Sequence, residues 1–185
     1  MEGLRERLAR GDVLVGDGAL GTLLMERGLP EGQPPEWFAR ERPQVLEEIA
    51  QLYLDAGADL ITTDTFGASP LRLALHSLET EMQAINRQAV EAVRRVAYGS
   101  AYVSASVGPT GRLLAPLGDM DPGEVVAGYS AQVRVLADAG ADLICVETMT
   151  DLVEAACAVK AAKSVAPHLP VVATMTFDEI GRAHV

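Results

Sequence analysis

Several features that mark particular classes of protein are scarce in this sequence. Its 185 residues contain two cysteines, Cys145 and Cys157, each within an apolar pattern, which argues against a disulfide framework and suits a reducing compartment. No apolar run approaches the roughly 18 residues of a membrane span, and the first six residues lack a signal-peptide core. We therefore expect a cytoplasmic protein without a membrane segment.

Positive charge is also scarce. The sequence has 15 Lys and Arg residues against 26 Asp and Glu residues, a formal net charge of −11, and no cluster of basic residues. Nucleic acids and anionic membranes bind preferentially to basic protein surfaces, so both are disfavoured as partners. Small molecules and other proteins remain as partners.

What the sequence does contain is one segment that occurs twice, at residues 55–65 and 138–148, with eight of eleven positions identical. In each copy an amphipathic helix ends at a glycine (Gly57 or Gly140), which can adopt the left-handed conformation, and an apolar run follows at once. Each run stops at an acid followed by threonine. A buried strand with a carboxylate and a hydroxyl at its carboxyl end is how α/β proteins build sites.

Apolar runs and amphipathic segments alternate along the chain. The predicted strands are residues 13–17, which we expect to be buried, 58–64, 101–107, 141–147 and 170–176. The predicted helices are residues 22–27, 43–56, 122–139 and 152–165, and residues 70–96 are predicted to form a helix, a break and a longer helix. Asp121, Asp151 and Glu154 are predicted to be capping residues. Residues 29–35 are predicted to form a loop, and Val45, Leu46, Ile49, Leu52 and Tyr53 to share one helix face.

This alternation predicts a parallel sheet with right-handed crossovers. Either an open doubly wound sheet or the first part of an eight-fold barrel accommodates five strands. A barrel needs about 250 residues, and this sequence stops just after a strand, which would leave a parallel edge unpaired. We therefore expect a single α/β domain over residues 1–185 that forms about the first five units of a (β/α)8 TIM barrel, truncated before the last strands. Residues 179–185 would be a ragged tail, and the open sheet edge a route to self-association.

Four strand ends carry motifs that together resemble one family. They are Asp17-Gly18-Ala19-Leu20-Gly21-Thr22, Thr65-Phe66-Gly67-Ala68, Gly108-Pro109-Thr110-Gly111, and Glu147-Thr148 with Thr174-Met175-Thr176-Phe177-Asp178. In this order they resemble the homocysteine S-methyltransferase family, over residues 13–178. That family includes the homocysteine-binding barrel of cobalamin-dependent methionine synthase and betaine–homocysteine methyltransferase.

The resemblance implies transfer of a methyl group to the thiol of homocysteine, giving methionine. In the family, three cysteines hold a zinc ion that binds homocysteine sulfur as a thiolate. Carried over, Asp17 and Gly18 would contact the amino-acid end of homocysteine, Glu147 would take its ammonium, and Thr65 and Phe66 would line the pocket. The methyl donor stays open between methyl-cobalamin on a partner domain, S-methylmethionine and betaine.

Two departures from the family matter. Asp64 stands where many relatives carry asparagine, which adds a negative charge beside the pocket. The zinc cysteines of the family lie on the sixth and eighth strands, which this sequence does not reach. We therefore expect no metal site in this chain and no methyltransferase activity from it alone, and the catalytic residues are not identified.

Two other interpretations stay open. The chain could work as a non-catalytic module that binds an amino acid or oligomerises through its sheet edge. A receiver-like signalling domain also places acids at strand ends, but it needs a lysine where Thr174-Met175-Thr176 stands. Cys145 is interpreted as a packed residue one layer below the site and Cys157 as helix packing, and the histidines His76, His168 and His184 lack metal-site spacing. The strongest expectation is geometric, that Asp17, Asp64 and Glu147 meet around one mouth.

Overall fold

The two apolar runs that follow Gly57 and Gly140 become strands of one parallel sheet. The computed structural model describes residues 2–177, and Gly57 and Gly140 have φ of +93° and +101°. The strands are β1 (Leu60–Thr62), β2 (Tyr102–Val107), β3 (Leu143–Met149) and β4 (Val171–Met175). They lie side by side in the order of the chain, all parallel. A doubly wound sheet would reverse its strand order at a switch point, whereas consecutive order is that of a barrel wall.

Eight α-helices connect or flank these strands in the described part of the chain. They are α1 (Leu4–Arg10), α2 (Gly21–Glu26), α3 (Pro35–Glu41), α4 (Pro43–Asp55), α5 (Pro70–Leu73), α6 (Met82–Ala97), α7 (Pro122–Ala139) and α8 (Leu152–Val165). The predicted break between α5 and α6 consists of two 3-10 turns, Ala74–His76 and Glu79–Glu81. The side chains of Asp121 and Asp151 accept hydrogen bonds from the first-turn N–H groups of α7 and α8, so both predicted caps are confirmed.

The two faces of the sheet differ in chemistry. Ile61, Val103, Ala105, Ile144 and Val146 are fully buried in the main core, which also contains the inward faces of α6, α7 and α8. The alternate residues of the same strands, among them Thr62, Ser106, Cys145 and Glu147, turn to the other face. Polar side chains are thereby concentrated on the face that does not pack against the helices.

The first predicted strand is not a regular strand. Residues 13–17 run parallel to β1 but form only one bridge, between Gly16 and Leu60, supported by backbone hydrogen bonds at Val15 and Asp17. Val13 and Val15 are 87% and 55% exposed, so the expectation that this run is buried is wrong. The run lies at the edge of the described sheet, where only one side has a partner strand. Its apolar composition could not show whether a second neighbour would cover it.

Three smaller predictions were also wrong or incomplete. Helices α1 and α3 were not predicted, and Leu52, placed on the buried face of α4, is 50% exposed. Glu154 is not a capping residue: its Oε1 accepts hydrogen bonds from the Thr110 N–H at 2.7 Å and the Tyr129 hydroxyl at 2.9 Å. A buried carboxylate with two donors ties the loop after β2 to α8.

Two remaining expectations concern the carboxyl-terminal tail and membrane-spanning segments. The predicted ragged tail, residues 179–185, lies outside the described residues. Within residues 2–177, every helix is too short or too polar to cross a bilayer.

Candidate functional site

A cavity of about 410 Å³ opens where the chain leaves the carboxyl ends of neighbouring strands. It is bounded by the turn after residue 16, the ends of β1, β2 and β3, and part of α3. Carboxyl ends of parallel strands converge on one rim, which is where barrel proteins carry their sites. Asp17, Glu36, Asp64 and Glu147 all line it, and among residues 2–177 the lining contains no lysine, arginine or histidine.

Asp17 is held by the neighbouring strand. Its Oδ2 accepts a hydrogen bond from the Thr62 N–H and its Oδ1 accepts one from the Thr62 hydroxyl, both at 2.6 Å. Burial raises the pKa of Asp17, while the two hydrogen bonds from Thr62 act in the opposite direction. Each carboxylate oxygen keeps a lone pair after these bonds, so Asp17 can still accept from a ligand.

Glu147, on β3, is oriented in a similar way by a hydroxyl of the neighbouring strand β2. Its Oε1 accepts a hydrogen bond from the Ser106 hydroxyl, near the end of β2. The register of β3 shifts between Val146 and Met149, and Thr148 has φ of +60°, which a β-branched residue rarely adopts. The bulge therefore places one extra residue directly after Glu147, at the rim of the cavity.

The turn after Asp17 depends on the close approach of a side chain. A Cβ at Gly18 would lie 2.9 Å from the Tyr53 Oη, and this hydroxyl donates to the Ala19 carbonyl at 2.8 Å. Glycine at position 18 thus lets Tyr53 pin the turn against α4. Gly18 itself lines the cavity.

Phe66 and Thr65 point in different directions. Phe66 is half-buried and lines the cavity, and a Cβ at Gly108 would lie 2.5 Å from its ring. Thr65 is fully buried: its hydroxyl donates to the Ser106 carbonyl at 2.7 Å and lies 2.7 Å from the Thr63 hydroxyl. Thr65 is therefore not part of the lining, contrary to the expectation, because its short polar side chain ties β1 to β2.

The structure adds one acid that sequence patterns did not place, Glu36, and it buries the expected acid Asp64 in the same cavity wall. Glu36, in the unpredicted helix α3, is 6% exposed, and its Oε1 accepts from the Gly67 N–H at 2.5 Å. Asp64 is 4% exposed, and its Oδ2 has no hydrogen-bond partner within residues 2–177. Burial, followed by the nearby charge of Glu36, raises the pKa of Asp64 well above its usual range. Glutamate within a proline-rich segment gives no local signal of a site, so Glu36 could not have been found by pattern.

Another cavity, of about 360 Å³, lies at the amino ends of the strands and is lined by α1, the end of α6 and Asp142. Its charged groups are already paired, since Arg94 Nη1 lies 3.3 Å from Asp142 Oδ2. Residues at that end of a parallel barrel normally serve stability. The acidic cavity at the carboxyl ends is therefore the candidate site.

Consecutive parallel strands with a polar site along their carboxyl rim define the class: a barrel-type α/β protein with a small-molecule cavity. The profile of the homocysteine S-methyltransferase family matches residues 14–184, and the chain belongs to this family. The sequence-based recognition of the family is thereby confirmed.

Individual relatives agree with this assignment. The chain is 35% identical over 196 residues to methionine synthase of Mycobacterium leprae, covering 96% of this chain and 16% of that protein. It is 35% identical over 187 residues to methionine synthase of Mycobacterium tuberculosis, covering 91% and 15%. The chain thus spans about a sixth of the length of these relatives.

Solved structures of the Escherichia coli homocysteine methyltransferase MmuM match the fold. The metallated form superposes with a TM-score of 0.82 at 27% identity, over 97% of this chain and 68% of that one. The oxidised form gives 0.83 at 26% identity, over 99% and 68%. This match confirms the predicted fold class, a partial TIM-barrel-like α/β fold.

The cysteines of this chain do not suit a zinc ion bound by thiolates. Within residues 2–177, no three His, Cys, Asp or Glu side chains are grouped to hold a metal ion. Cys145 lies beside the cavity, and burial, then the charges of Glu147 and Asp17, raise its pKa to about 11, so a thiolate is disfavoured. Cys157 lies on α8, where its Sγ is 3.8 Å from the Pro122 carbonyl oxygen. The two thiols thus lie on different elements, Cys145 on β3 and Cys157 on α8, and they do not form the group of cysteines that holds zinc in the family.

Of the five residues expected to bind substrate, the structure brings four to one cavity, Asp17, Gly18, Phe66 and Glu147. Asp64 lies in the same wall, so the three acids expected around one mouth are together. Thr65 supports this wall from behind.

Proposed function

We propose that this chain binds homocysteine, as part of an enzyme that transfers a methyl group to the homocysteine thiol to give methionine. The observation that carries the proposal is the pair of carboxylates, Asp17 and Glu147, each held by a hydroxyl of β1 or β2 at one cavity. Membership of the family supports the choice of homocysteine.

The ammonium group of homocysteine would lie between Asp17 and Glu147. Thr62 occupies one lone pair on each oxygen of Asp17, and Ser106 occupies Oε1 of Glu147, so acceptors remain on both side chains. Because both carboxylates are already oriented, a ligand ammonium loses less free energy to side-chain ordering when it binds. Charge-assisted hydrogen bonds of this kind are the stronger ones in proteins.

The remaining lining suits the rest of the molecule. Phe66 offers an aromatic wall for the short thioalkyl chain, and sulfur makes favourable contacts with aromatic rings. Gly18 allows the backbone of the turn to approach the amino-acid end. Thr65 holds the end of β1 in place through the Ser106 carbonyl.

The methyl-transfer chemistry itself would need groups beyond the described residues. In the family a zinc ion lowers the pKa of the homocysteine thiol, and its ligands would have to come from outside this set of side chains. The donor would be methyl-cobalamin on a partner domain, S-methylmethionine or betaine. We accordingly propose that the chain by itself forms no methionine, and that the enzyme acts in the cytoplasm on small molecules.

The binding proposal is tested by titrating homocysteine into the chain by calorimetry. The double variant Asp17→Asn with Glu147→Gln should weaken binding by about tenfold or more, because both charge-assisted contacts are lost. Glu91→Gln, an exposed acid on α6, is the matched control and should leave the affinity unchanged. A folded wild-type chain that binds no homocysteine, or a double variant with wild-type affinity, would overturn the proposal. Methionine formation by the chain alone would refute the proposed inactivity.

One observation favours a second role. The outer edge of β4 pairs with no strand in the described residues, and Val172, the second residue of the strand, is 42% exposed. Unpaired strand edges promote pairing between chains. Self-association through β4 would appear as a concentration-dependent size in gel filtration, and a monomer at all concentrations would exclude it.

A further inference from the structure

Asp64 is a buried acid of the cavity that makes none of the contacts proposed for the ligand ammonium. Its side chain is 4% exposed and lines the cavity, yet its Oδ2 has no hydrogen-bond partner within residues 2–177. An unsatisfied buried oxygen carries a free-energy cost that native proteins rarely accept without a reason. Oδ2 is shielded from solvent, so a proton on this carboxyl would lower the cost by avoiding a buried charge, and Asp64 lines the cavity, where a ligand could accept from it.

The neighbouring acid, Glu36, shows which of the two carboxyls holds a proton. Two buried carboxylates cannot both be ionised cheaply, since their charges repel in a poorly solvated environment. Burial raises the pKa of Glu36 as well, but its Oε1 accepts the Gly67 N–H at 2.5 Å, and this hydrogen bond and the charges of Arg72 and His76 act in the opposite direction. Asp64 Oδ2 has no hydrogen-bond donor within residues 2–177, so of the two carboxyls Asp64 is the one that favours the protonated form.

The other groups around the cavity reinforce this assignment. Asp17 and Glu147 line the same space, and no basic side chain does within residues 2–177. An amino acid brings an ammonium and a carboxylate. The ammonium finds two acids, whereas the carboxylate finds only backbone groups, hydroxyls and Asp64.

We propose that Asp64 binds the carboxylate of the amino-acid ligand, donating a hydrogen bond from a protonated carboxyl. This assignment rests on the proposed function, because it presumes that the cavity binds an amino acid. It makes Asp64 the residue that distinguishes a zwitterion from a simple amine. The contact exists only while the proton is present, so loss of the proton removes the donor and adds a charge that repels the ligand carboxylate.

The test compares two ligands and two variants by calorimetric titration. Homocysteine carries the carboxylate, and aminopropanethiol is the same molecule without it. Asp64→Ala should weaken homocysteine binding by about tenfold or more and aminopropanethiol binding by less than about twofold, because only the first ligand loses a charge-assisted contact. Asp64→Asn keeps the shape and supplies an N–H donor, so homocysteine affinity should stay within about threefold of the wild type.

The pH profile provides a second readout. Wild-type affinity for homocysteine should fall as pH rises through the elevated pKa of Asp64, and the Asn variant should lack this fall while retaining any titration of the ligand itself. Equal weakening of both ligands by Asp64→Ala, or the same pH profile in the wild type and the Asn variant, would overturn the assignment. A folded wild-type chain that binds neither ligand would overturn the proposed function and this assignment together. Binding of both ligands without any response to Asp64→Ala would overturn this assignment alone.

Discussion

Replacing Asp64 with asparagine should stabilise the folded chain at neutral pH. The wild-type side chain is 4% exposed and its Oδ2 is unpartnered within residues 2–177, so an ionisable group is held where its charged form is poorly solvated. Asparagine keeps the shape of the side chain but cannot ionise, so it avoids the penalty that an acid meets at this buried position at neutral pH. A buried group left unsatisfied costs about 1–3 kcal/mol, and more when it is charged, so we expect a gain of about 2 kcal/mol in the free energy of unfolding. For a chain of this size, this corresponds to a rise in melting temperature of about 4–8 °C.

The difference in stability between the wild type and the Asn variant should depend on pH. The pKa of Asp64 is raised in the folded state, so the folded chain holds this proton more tightly than the unfolded chain. Below the unfolded pKa of about 3.9, Asp64 therefore does not change the free energy of unfolding. As the pH rises from about 3.9 to the folded pKa, the wild-type chain progressively loses stability. The Asn variant lacks this loss, so the gap between the two melting curves should widen with pH and then level off.

The assay is thermal unfolding followed by circular dichroism, from about pH 4 to about pH 8. Asp119→Asn is the matched control, because the side chain of Asp119 is 77% exposed and pairs with Arg112 at the surface. Its effect should stay within about 0.5 kcal/mol at every pH. The reasoning fails if Asp64→Asn lowers the melting temperature at neutral pH, or if the gap between the curves narrows as pH rises.

Three further predictions follow from single contacts. Tyr129→Phe removes a buried hydroxyl that donates to Glu154 Oε1 at 2.9 Å, and it should lower the free energy of unfolding by about 2 kcal/mol in a denaturant titration. Gly108→Ala would place a Cβ 2.5 Å from the ring of Phe66, so it should cost about 1–3 kcal/mol in the same assay. Cys145 has a pKa raised to about 11, so in a variant without the other cysteine its alkylation rate should keep rising above the ordinary thiol pKa of about 8.5; a plateau there would contradict the shift.

The regular elements were largely predictable because their signals are local. Aspartate before the first turn of α7 and of α8, and a left-handed glycine before β1 and before β3, act within a few residues. Hydrophobic spacing at period 3.6 or 2 indicates the type of element. The same signals do not report coverage by distant segments, so Val13, Val15 and Leu52 were expected to be buried and are exposed.

The candidate site was only half predictable. Strand-end acids such as Asp17 and Glu147 could be recognised, because an acid at the carboxyl end of a buried run is a position where sites form. The direction of Thr65 could not be, since it depends on a hydrogen bond to a carbonyl 41 residues away. Glu36 could not be recognised either, because helix α3 had no clear pattern of its own.

By itself, the sequence determined the order of strands and helices, the parallel sheet, and the family, through short-range caps, glycines and repeated strand ends. Only the tertiary structure decided that Thr62 orients Asp17, that Ser106 orients Glu147, and that Glu36 comes to lie near Asp64. The physical reason is the distance along the chain over which each kind of interaction acts. Backbone conformation responds to neighbours within one turn of chain, whereas the protonation and orientation of an acid depend on groups that folding brings from other strands and helices.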